Sequence, residues 1–565
     1  MDRRFIWAMA LMTLIVMAPA LLLKKPAVPP GAPADSVAAT VDSARPPAPD
    51  VAGQVGLPSG VAAAAAPTPA APTPAAPEDT VLVHTPLYTY GISTRGGRLV
   101  RAVLEQYKSQ APAEKGEPVQ LMLPGSEVLG LRLVVGADTL RLDDWIFTTP
   151  VTEISIDGPR TVEFTSTQSG VTVKLAYTFR PDAYQIGVEG SISGVGPNGG
   201  LLLVGMGPGL ANTEANLLEN ERAMGYVTKA QSTQFKGFQR LDTASVVTVS
   251  GPFEWVAVKS KYFVTSLFAF EEGATPIGGL TVRPLPQPGQ KKADRASMWA
   301  SVLLPAAGDF RYQLYAGPME YSRLAKVGHE FDDVNPYGWP GFRTIIRPVA
   351  IGVRWLLVWA HTHLHLAYGL VLVLFGIMMR VILWPLNQKA MRSTMAMQAI
   401  QPELKAIQDK YKNDPAKLQQ EMFKLYKEHG VNPMGGCWPM LLPMPVLLAL
   451  FFVFQNTIEL RGQSFLWLPD LSRPDPFFII PIVMGLSMFG LSKMGQRGIP
   501  PNPQMKMMVY MMPVMMTVFF FNLASGLNLY YAVSNLASIP QQWLISEERM
   551  KLAALRNGGQ APAKK

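Results

Sequence analysis

From Thr80 to about Leu314, apolar and polar residues alternate over strand-length stretches, as in VLVHTPLYTYGIS, LRLVVGADTLRL, TVEFTSTQSGVTVKLAYTFR and YQIGVEGSIS. Gly, Pro, Asn and Asp punctuate these stretches. A period of two with such breaks predicts a large antiparallel β-sandwich, and we place this domain at 79–330. Glu214–Ala223 is predicted as a short helix within it, and Pro318–Val327 as a helix that closes it. The pattern differs on both sides. Phe5–Leu23 is a 19-residue apolar run behind Arg3 and Arg4. Ala18-Pro19-Ala20 has the spacing of a signal-peptide cleavage site, but the run continues through Leu21, Leu22 and Leu23. We therefore read 1–25 as an uncleaved membrane anchor. The stretch 26–78, with repeats such as APTPAAPTPAAP, has almost nothing large and apolar to bury. It is predicted to be a disordered tether.

After the sandwich the period becomes helical. Arg343, Arg347 and Arg354 stand at i, i+4 and i+11 and share one face, with Trp339, Phe342, Ile345, Ile346 and Trp355 supplying apolar bulk. This predicts an amphipathic helix over 336–360, lying in a membrane interface with its arginines toward lipid phosphates. The alternative is an ordinary surface helix. His361 and His365 have chelating spacing, but no carboxylate or cysteine accompanies them, so a wet interfacial turn is the reading there. Leu366–Leu386, LAYGLVLVLFGIMMRVILWPL, is 21 residues long with a single charge, Arg380, and is long enough to span a bilayer. Cys437–Thr457, Phe477–Ser492, Met507–Phe521 and Gly526–Ile545 are further spans. With the first run they make six. The fold class is therefore an α-helical polytopic membrane protein joined to an all-β sandwich, with a membrane core at 364–546.

The polar segment 387–436 between spans reads as a helical hairpin. Leu404, Ile407 and Tyr411 form one apolar stripe, and Leu418, Met422, Leu425 and His429 form the facing one. Asp414 is a good N-cap with Pro415 at N1, and Gly430 and Pro433 end the second helix.

Composition fits this division. The chain of 565 residues is 48% hydrophobic and 16% charged, with mean hydropathy +0.15 and net charge +9. That is too apolar for an ordinary soluble protein. The excess positive charge is distributed by loop. Asn387–Gly436 holds eight Lys or Arg, Lys493–Lys506 holds three and the tail after Ile545 holds five. Ile458–Pro476 holds two and Asn522–Ser525 none. The positive-inside rule then puts both termini, the hairpin and the basic tail 547–565 in the cytoplasm. The sandwich lies in the periplasm of a two-membrane bacterium. The single cysteine, Cys437, rules out an intrachain disulfide framework. No phosphate-binding loop motif is present to suggest nucleotide use.

An arginine inside a span is unfavourable by roughly 2.5–3.5 kcal/mol near the centre, and is explained either by snorkelling to the headgroups or by a hydrated cavity. In the last span Asn528, Tyr531, Asn535, Ser538 and Gln542 share one helix face, which must meet protein or water. The bland reading is interhelical hydrogen bonding. Taken with Arg380 at similar depth, the stripe suggests a positive, wet groove in the inner half of the bundle. Met505, Met507, Met508, Met511, Met512, Met515 and Met516 lie on the neighbouring span and suit varied apolar partners, or simply pack. The exposed lysines Lys405, Lys412, Lys417 and Lys424 of the hairpin suit acidic partners.

The motifs FGIMMRVILWPLN, GVNPMGGCWPMLLPMPVLLALF and SGLNLYYAVSNL, with the hairpin between the first two, resemble the YidC-type membrane protein insertases, from Trp339 to about Ile545. The anchor, tether and sandwich resemble the Gram-negative branch of that family. The resemblance implies a five-helix insertase core with a hydrophilic groove open to the cytoplasm and lipid. It puts the groove arginine on Arg380, the polar aromatic of the last span on Tyr531, and the hairpin that receives substrates or the ribosome on Gln401–Gly430. Gly376 and Pro443 stand where the family often has a hydroxyl and a glutamine.

The functional expectation is an insertase without covalent chemistry, cofactor or metal. Its partners are nascent membrane proteins, the phospholipid bilayer and, by resemblance, the ribosome and a Sec-type translocase, with no DNA. A channel or solute transporter would require a polar path across the whole bilayer, whereas Arg380 and the stripe cluster inward. An anchored glycan-binding or enzymatic sandwich would require an acid/base cluster in Thr80–Leu314. The only histidine between Thr80 and Gly317 is His84.

Overall fold

The computed structural model describes residues 78–195, 199–269, 274–287, 289, 292–338, 341–430, 444–497 and 503–556. The predicted anchor 1–25 and almost all of the tether lie outside the described residues, as do Trp339, the stretch Cys437–Pro443 and the tail beyond Arg556.

Among the described residues the β domain contains three sheets. The first has five strands in the order Pro118–Gln120, Leu99–Lys108, Tyr88–Ser93, Thr80–His84, Glu153–Ser155. The second has eight, in the order Thr233–Gly237, Gly225–Lys229, Trp255–Lys259, Phe263–Phe268, Asp309–Pro318, Gln185–Ser193, Val171–Phe179, Arg160–Gln168. The third has six, in the order Val247–Phe253, Ile277–Pro286, Ala293–Leu304, Gly200–Gly205, Leu131–Val135, Asp138–Leu140. Pairing is antiparallel with one departure from the sequence reading: Leu82–His84 pairs in parallel with Glu153–Ser155. A parallel pair requires a long crossover. Here the chain leaves the first sheet and contributes Leu131–Val135 and Asp138–Leu140 to the third before it returns.

The alternation has its predicted effect. Val171, Val173, Leu175, Tyr177 and Phe179 point into the core, and Thr172, Lys174, Ala176 and Thr178 point away from it. Trp255–Lys259 and Phe263–Phe268 are instead buried at every position, so the sheet is covered on both faces there. Phe331 is part of that cover. Its ring meets Phe268 at 4.7 Å, Trp255 at 5.2 Å and Tyr315 at 5.5 Å between centroids, in edge-on geometry. Phe331 belongs to the short turn Phe331–Val334 that leads out of the sandwich, so the exit of the chain is anchored in the sandwich core.

The helices are α1 (Leu217–Ala223), α2 (Tyr321–Val327), α3 (Arg343–Leu364), α4 (Tyr368–Ala399), α5 (Gln401–Lys410), α6 (Pro415–Glu428), α7 (Met444–Asn456), α8 (Ile479–Gly495), α9 (Pro503–Phe520) and α10 (Ser525–Arg556). α10 packs on α4 and α8, α8 on α9, and α3 on α7. A second apolar core lies among them, with Ile346, Leu357, Phe375, Leu450, Phe454, Met484, Leu527 and Tyr530. Outward, Val381, Ile382, Leu486, Val514 and Val518 form an exposed apolar belt of the kind that lipid covers. Among the described residues one helix is long and apolar enough to cross a membrane, Tyr368–Pro385 with mean hydropathy 1.9. Pro445–Asn456, Ile479–Gly495 and Val509–Phe520 are shorter apolar helices. At 32 residues, α4 and α10 are each about 48 Å long, well beyond a hydrocarbon core of about 30 Å, so their polar ends project from it.

In the hairpin, the Asp414 side chain accepts from Lys417 N at 3.1 Å and Pro415 opens α6. Gly430 takes φ +59 after the helix, a left-handed conformation that suits glycine. His429 Nε2 lies 3.4 Å from Glu403, closing the base of α6 on α5.

Between α7 and α8, the loop that follows Asn456 binds both the sandwich and the helices. Ile458 is part of the sandwich core. The Arg461 side chain is buried and donates through Nε to Glu214 Oε1 at 2.9 Å, through Nη1 to Lys108 O at 2.7 Å and through Nη2 to Thr213 O at 2.9 Å. The same loop caps α10: Ser525 N donates to Arg473 O at 2.7 Å and Gly526 N to Leu471 O at 2.9 Å.

Candidate functional site in the helical core

α4 and α10 approach each other at Gly376. A Cβ on Gly376 would lie 3.2 Å from Val533 Cγ1 and 3.5 Å from the Tyr530 carbonyl, so only a very small residue permits this approach. Arg380 stands one turn beyond Gly376, on the same face, and is carried to the same stretch of α10. Its guanidinium is electrostatically coupled to the Tyr530 hydroxyl. The side chain is half-buried, and its Nε is buried without a hydrogen bond. Among the described residues Arg380 has no carboxylate partner. Its neighbours Val381 and Ile382 face outward.

The face of α10 turned to α4 therefore carries Tyr530, Ser534, Ser538 and Gln541, at i, i+4, i+8 and i+11. Gln541, buried, donates through Nε2 to the Trp384 carbonyl at 3.1 Å, and its Oε1 is buried without a partner. Ser538 is buried with its hydroxyl turned onto its own helix, donating to Ser534 O at 2.6 Å. Of the stripe predicted from spacing, Ser538 lies on this face, and the other members are placed as follows. Tyr531 packs its ring edge against Phe520 at 5.1 Å and against Tyr530 at 5.6 Å. Asn528 is fully buried and donates through Nδ2 to Phe520 O at 2.9 Å, which ties the turn between α9 and α10. Asn535 is half-buried. Gln542 faces the end of α8, where a Cβ on Gly495 would lie 3.0 Å from its Nε2. Spacing alone could not separate these two faces, because polar residues occur on both. The residues missed by it are Tyr530, Ser534 and Gln541, and the signal for them is their common spacing from Gly376 and Arg380.

The basic face of α3 is also partnered. Arg343 pairs with Asp333, and Arg347 Nη2 donates to Asp332 Oδ2 at 2.7 Å. Arg354 is buried against Glu459 and lies over the Tyr321 ring at 4.9 Å. The predicted partners were lipid phosphates; the near partners are carboxylates, two of them supplied by the turn that leaves the sandwich. Arg354 is enclosed, while Arg343 and Arg347 keep 27% and 31% of their side-chain surface open. The lipid-type exposure of α3 comes from Phe342, Ile345, Trp355 and Trp359.

At the turn after α3, His361 donates through Nδ1 to the Leu366 carbonyl at 2.7 Å and stacks on Tyr368 at 3.9 Å. Among the described residues no group of three His, Cys, Asp or Glu is placed to hold a metal ion. On the hairpin, Lys405, Lys412, Lys417 and Lys424 are exposed, and Lys410 and Lys417 both lie over the Tyr411 ring, at 5.4 and 5.5 Å. Phe423 is an exposed aromatic among these charges that the apolar stripes do not include.

Comparison with known proteins joins these parts. The family model described as 60Kd inner membrane protein matches residues 359–553, and the model described as YidC periplasmic domain matches 80–351. A membrane protein insertase YidC of Chloroherpeton thalassium is 32% identical over 504 residues, covering 83% of each chain. One of Geobacter sp. is 31% identical over 487 residues, covering 83% of this chain and 85% of its own. A crystal structure of an active YidC insertase is 20% identical, with coverage of 83% and 95% and a TM-score of 0.33. With relatives of this identity matching over more than four fifths of both chains, and family models matching both the β domain and the helical region, the chain belongs to the YidC family of membrane protein insertases.

Proposed function

We propose that this protein receives nascent transmembrane segments in a hydrophilic groove between α4 and α10 and releases them sideways into the inner membrane. The observation that carries this reading is Arg380, a half-buried guanidinium without a carboxylate partner among the described residues, on the helix most able to span a bilayer. A charge so placed draws water and acidic groups toward it. A polar flank of a client then has a shorter apolar distance to cross, and the hydrophobic effect moves its apolar part into lipid.

In this reading the chain has six spans, both termini and the hairpin in the cytoplasm, and the β domain in the periplasm. Loop charge supports that orientation. α7, α8 and α9, short in the described residues, complete the five-helix core with α4 and α10. Arg380 and Tyr530 act in the groove, with Asn535 and Ser538 beside them. Tyr531 and Asn528, which the sequence also points to the groove, brace α10 against α9 through Phe520. The hairpin lysines Lys405, Lys412, Lys417 and Lys424 meet acidic partners, the ribosome among them, and a Sec-type translocase is a further partner. No covalent step is required.

Site-specific photocrosslinking from positions 377, 381 and 534 to stalled nascent chains tests the reading. Crosslinks confined to a client segment at the stage before release support it. Crosslinks only to lipid throughout insertion count against it.

A further inference from the structure

The first two turns of α3 and the turn Phe331–Val334 border an open cleft of about 480 Å³, within the range of small-molecule sites. Glu330, Asp333, Arg343, Thr344, Arg347 and Pro348 line it. Two arginines and two carboxylates make its lining neutral overall yet divided by sign. An anion alone gains little from such a lining, and so does a cation alone. A molecule that carries both charges matches it.

The groups that would receive each charge are distinct. Arg343 and Arg347 spend only part of their five N–H donors on Asp333 and Asp332. Arg347 Nε lies 3.5 Å from Asp333 Oδ1 without hydrogen bonding to it. Both guanidiniums stand at the N-terminus of a 22-residue helix whose N-cap, Phe342, supplies no side-chain acceptor. The N-terminal end of the helix dipole favours a phosphate there. On the other side, Glu330 is 57% exposed and is kept ionised by Lys229, whose Nζ lies 2.6 Å away. Pro348 has no N–H to offer the Thr344 carbonyl. Glu330 and that carbonyl are acceptors for an ammonium group.

The surroundings select a lipid over a soluble zwitterion. Phe342 and Ile345 flank the arginines with 53% and 58% exposure, and Trp355 and Trp359 continue the apolar surface along the same helix. Acyl chains attached to a headgroup in the cleft would run beside them.

We propose that this cleft binds the headgroup of a phospholipid carrying both a phosphate and a primary ammonium. The inference rests on the interfacial reading of α3. A bound headgroup here ties the exit of the β domain to the membrane surface through Asp333 and Arg343.

The full-length protein in detergent is titrated with phosphatidylethanolamine, phosphatidylcholine and phosphatidylglycerol of identical acyl chains, and bound lipid is counted by native mass spectrometry. Phosphatidylethanolamine is expected to be retained about fivefold better than either other lipid, the order of one added hydrogen bond. Phosphatidylcholine cannot donate that bond, and phosphatidylglycerol lacks the cation. Glu330→Gln, with thermal unfolding as a check of fold, is expected to bring phosphatidylethanolamine down to the phosphatidylcholine level. Soluble glycerophosphoethanolamine is expected not to displace the lipid; displacement would make this a site for a soluble compound and overturn the lipid assignment. Equal retention of the three lipids, a preference for phosphatidylglycerol, or an unchanged preference in well-folded Glu330→Gln also overturns it. Client insertion is measured in parallel in vesicles of each lipid. Insertion that proceeds without any headgroup preference sinks this inference alone and leaves the insertase reading standing.

Discussion

Tyr530 stands on the α4 side of α10, its carbonyl 3.5 Å from where a Cβ on Gly376 would lie and its hydroxyl in the field of the Arg380 guanidinium, whereas Tyr531, the next residue, turns its ring edge onto Phe520. The two tyrosines are therefore predicted to do different work. Tyr530→Phe removes the hydroxyl next to the charge and is expected to lower insertion of acidic-flank clients by about two- to tenfold, the range of one hydrogen bond. Tyr531→Phe keeps its ring packing and is expected to stay within about twofold of wild type. A reconstituted insertion assay at matched protein amounts decides this, and the reverse ranking would move the groove to the other face of α10.

The close crossing at Gly376 makes a second prediction. Any large side chain there meets Val533 and the Tyr530 backbone. Gly376→Leu is expected to push α4 from α10 and to destabilise the helical core by about 1–3 kcal/mol. Gly376→Ala should be milder, since only a few tenths of an ångström must be found. Thermal unfolding in detergent, with both variants compared, reads the difference.

Arg461 and Glu214 join the loop after α7 to the β domain, and the side chains of both are buried. Glu214→Ala leaves a buried guanidinium with only carbonyl partners. A loss of about 3–5 kcal/mol is expected, as for a broken buried pair. The double variant Glu214→Ala, Arg461→Met removes the stranded charge and should recover part of the loss. A double variant no better than the single one would show that the pair itself is not what holds the junction.

Lys259 gives a pH dependence. It is buried in the β domain, where Nζ donates to Asn335 Oδ1 at 2.9 Å, and burial pushes its pKa down to about 7. In the unfolded chain a lysine titrates near 10.4. Between those values the unfolded state binds more protons than the folded state, so this group makes stability rise with pH from about 7 upward. Below about 7 the charged form is present in both states and the burial penalty is felt in full. Lys259→Met is expected to flatten the dependence of unfolding temperature on pH between 7 and 9. The slope is the readout, because Asn335 loses a donor in the variant at every pH. An unchanged slope would assign the dependence to other groups.

Much of the β domain can be read from the chain because burial there follows a period of two. Val171–Phe179 states its own orientation. Trp255–Lys259 does not, because a strand covered on both faces carries no alternation. The parallel pairing of Leu82–His84 with Glu153–Ser155 joins segments about 70 residues apart, and no local pattern encodes it. In the helical core, Arg380 stands out because a charge in an apolar run is unfavourable wherever it points. Which tyrosine meets it depends on the rotation of α10, and Gly376 and Val533 set that rotation through a contact between distant segments. The arginines of α3 show the same limit. Their common face follows from spacing, but Asp332, Asp333 and Glu459 become neighbours only once the turn after the β domain and the loop after α7 are in place.

The claim that Arg380 acts by charge is tested most directly by insertion of clients with acidic and with neutral flanks by Arg380→Lys, Arg380→Ala and Arg380→Glu at matched expression. An arginine keeps its charge in any accessible environment, so its loss cannot be mimicked by pH. Arg380→Lys is predicted to retain the most activity and Arg380→Glu the least. For acidic flanks, Arg380→Ala is predicted to fall by about tenfold or more, the scale of one lost charged contact. Equal insertion of acidic-flank clients by folded Arg380→Ala and wild type would contradict the account.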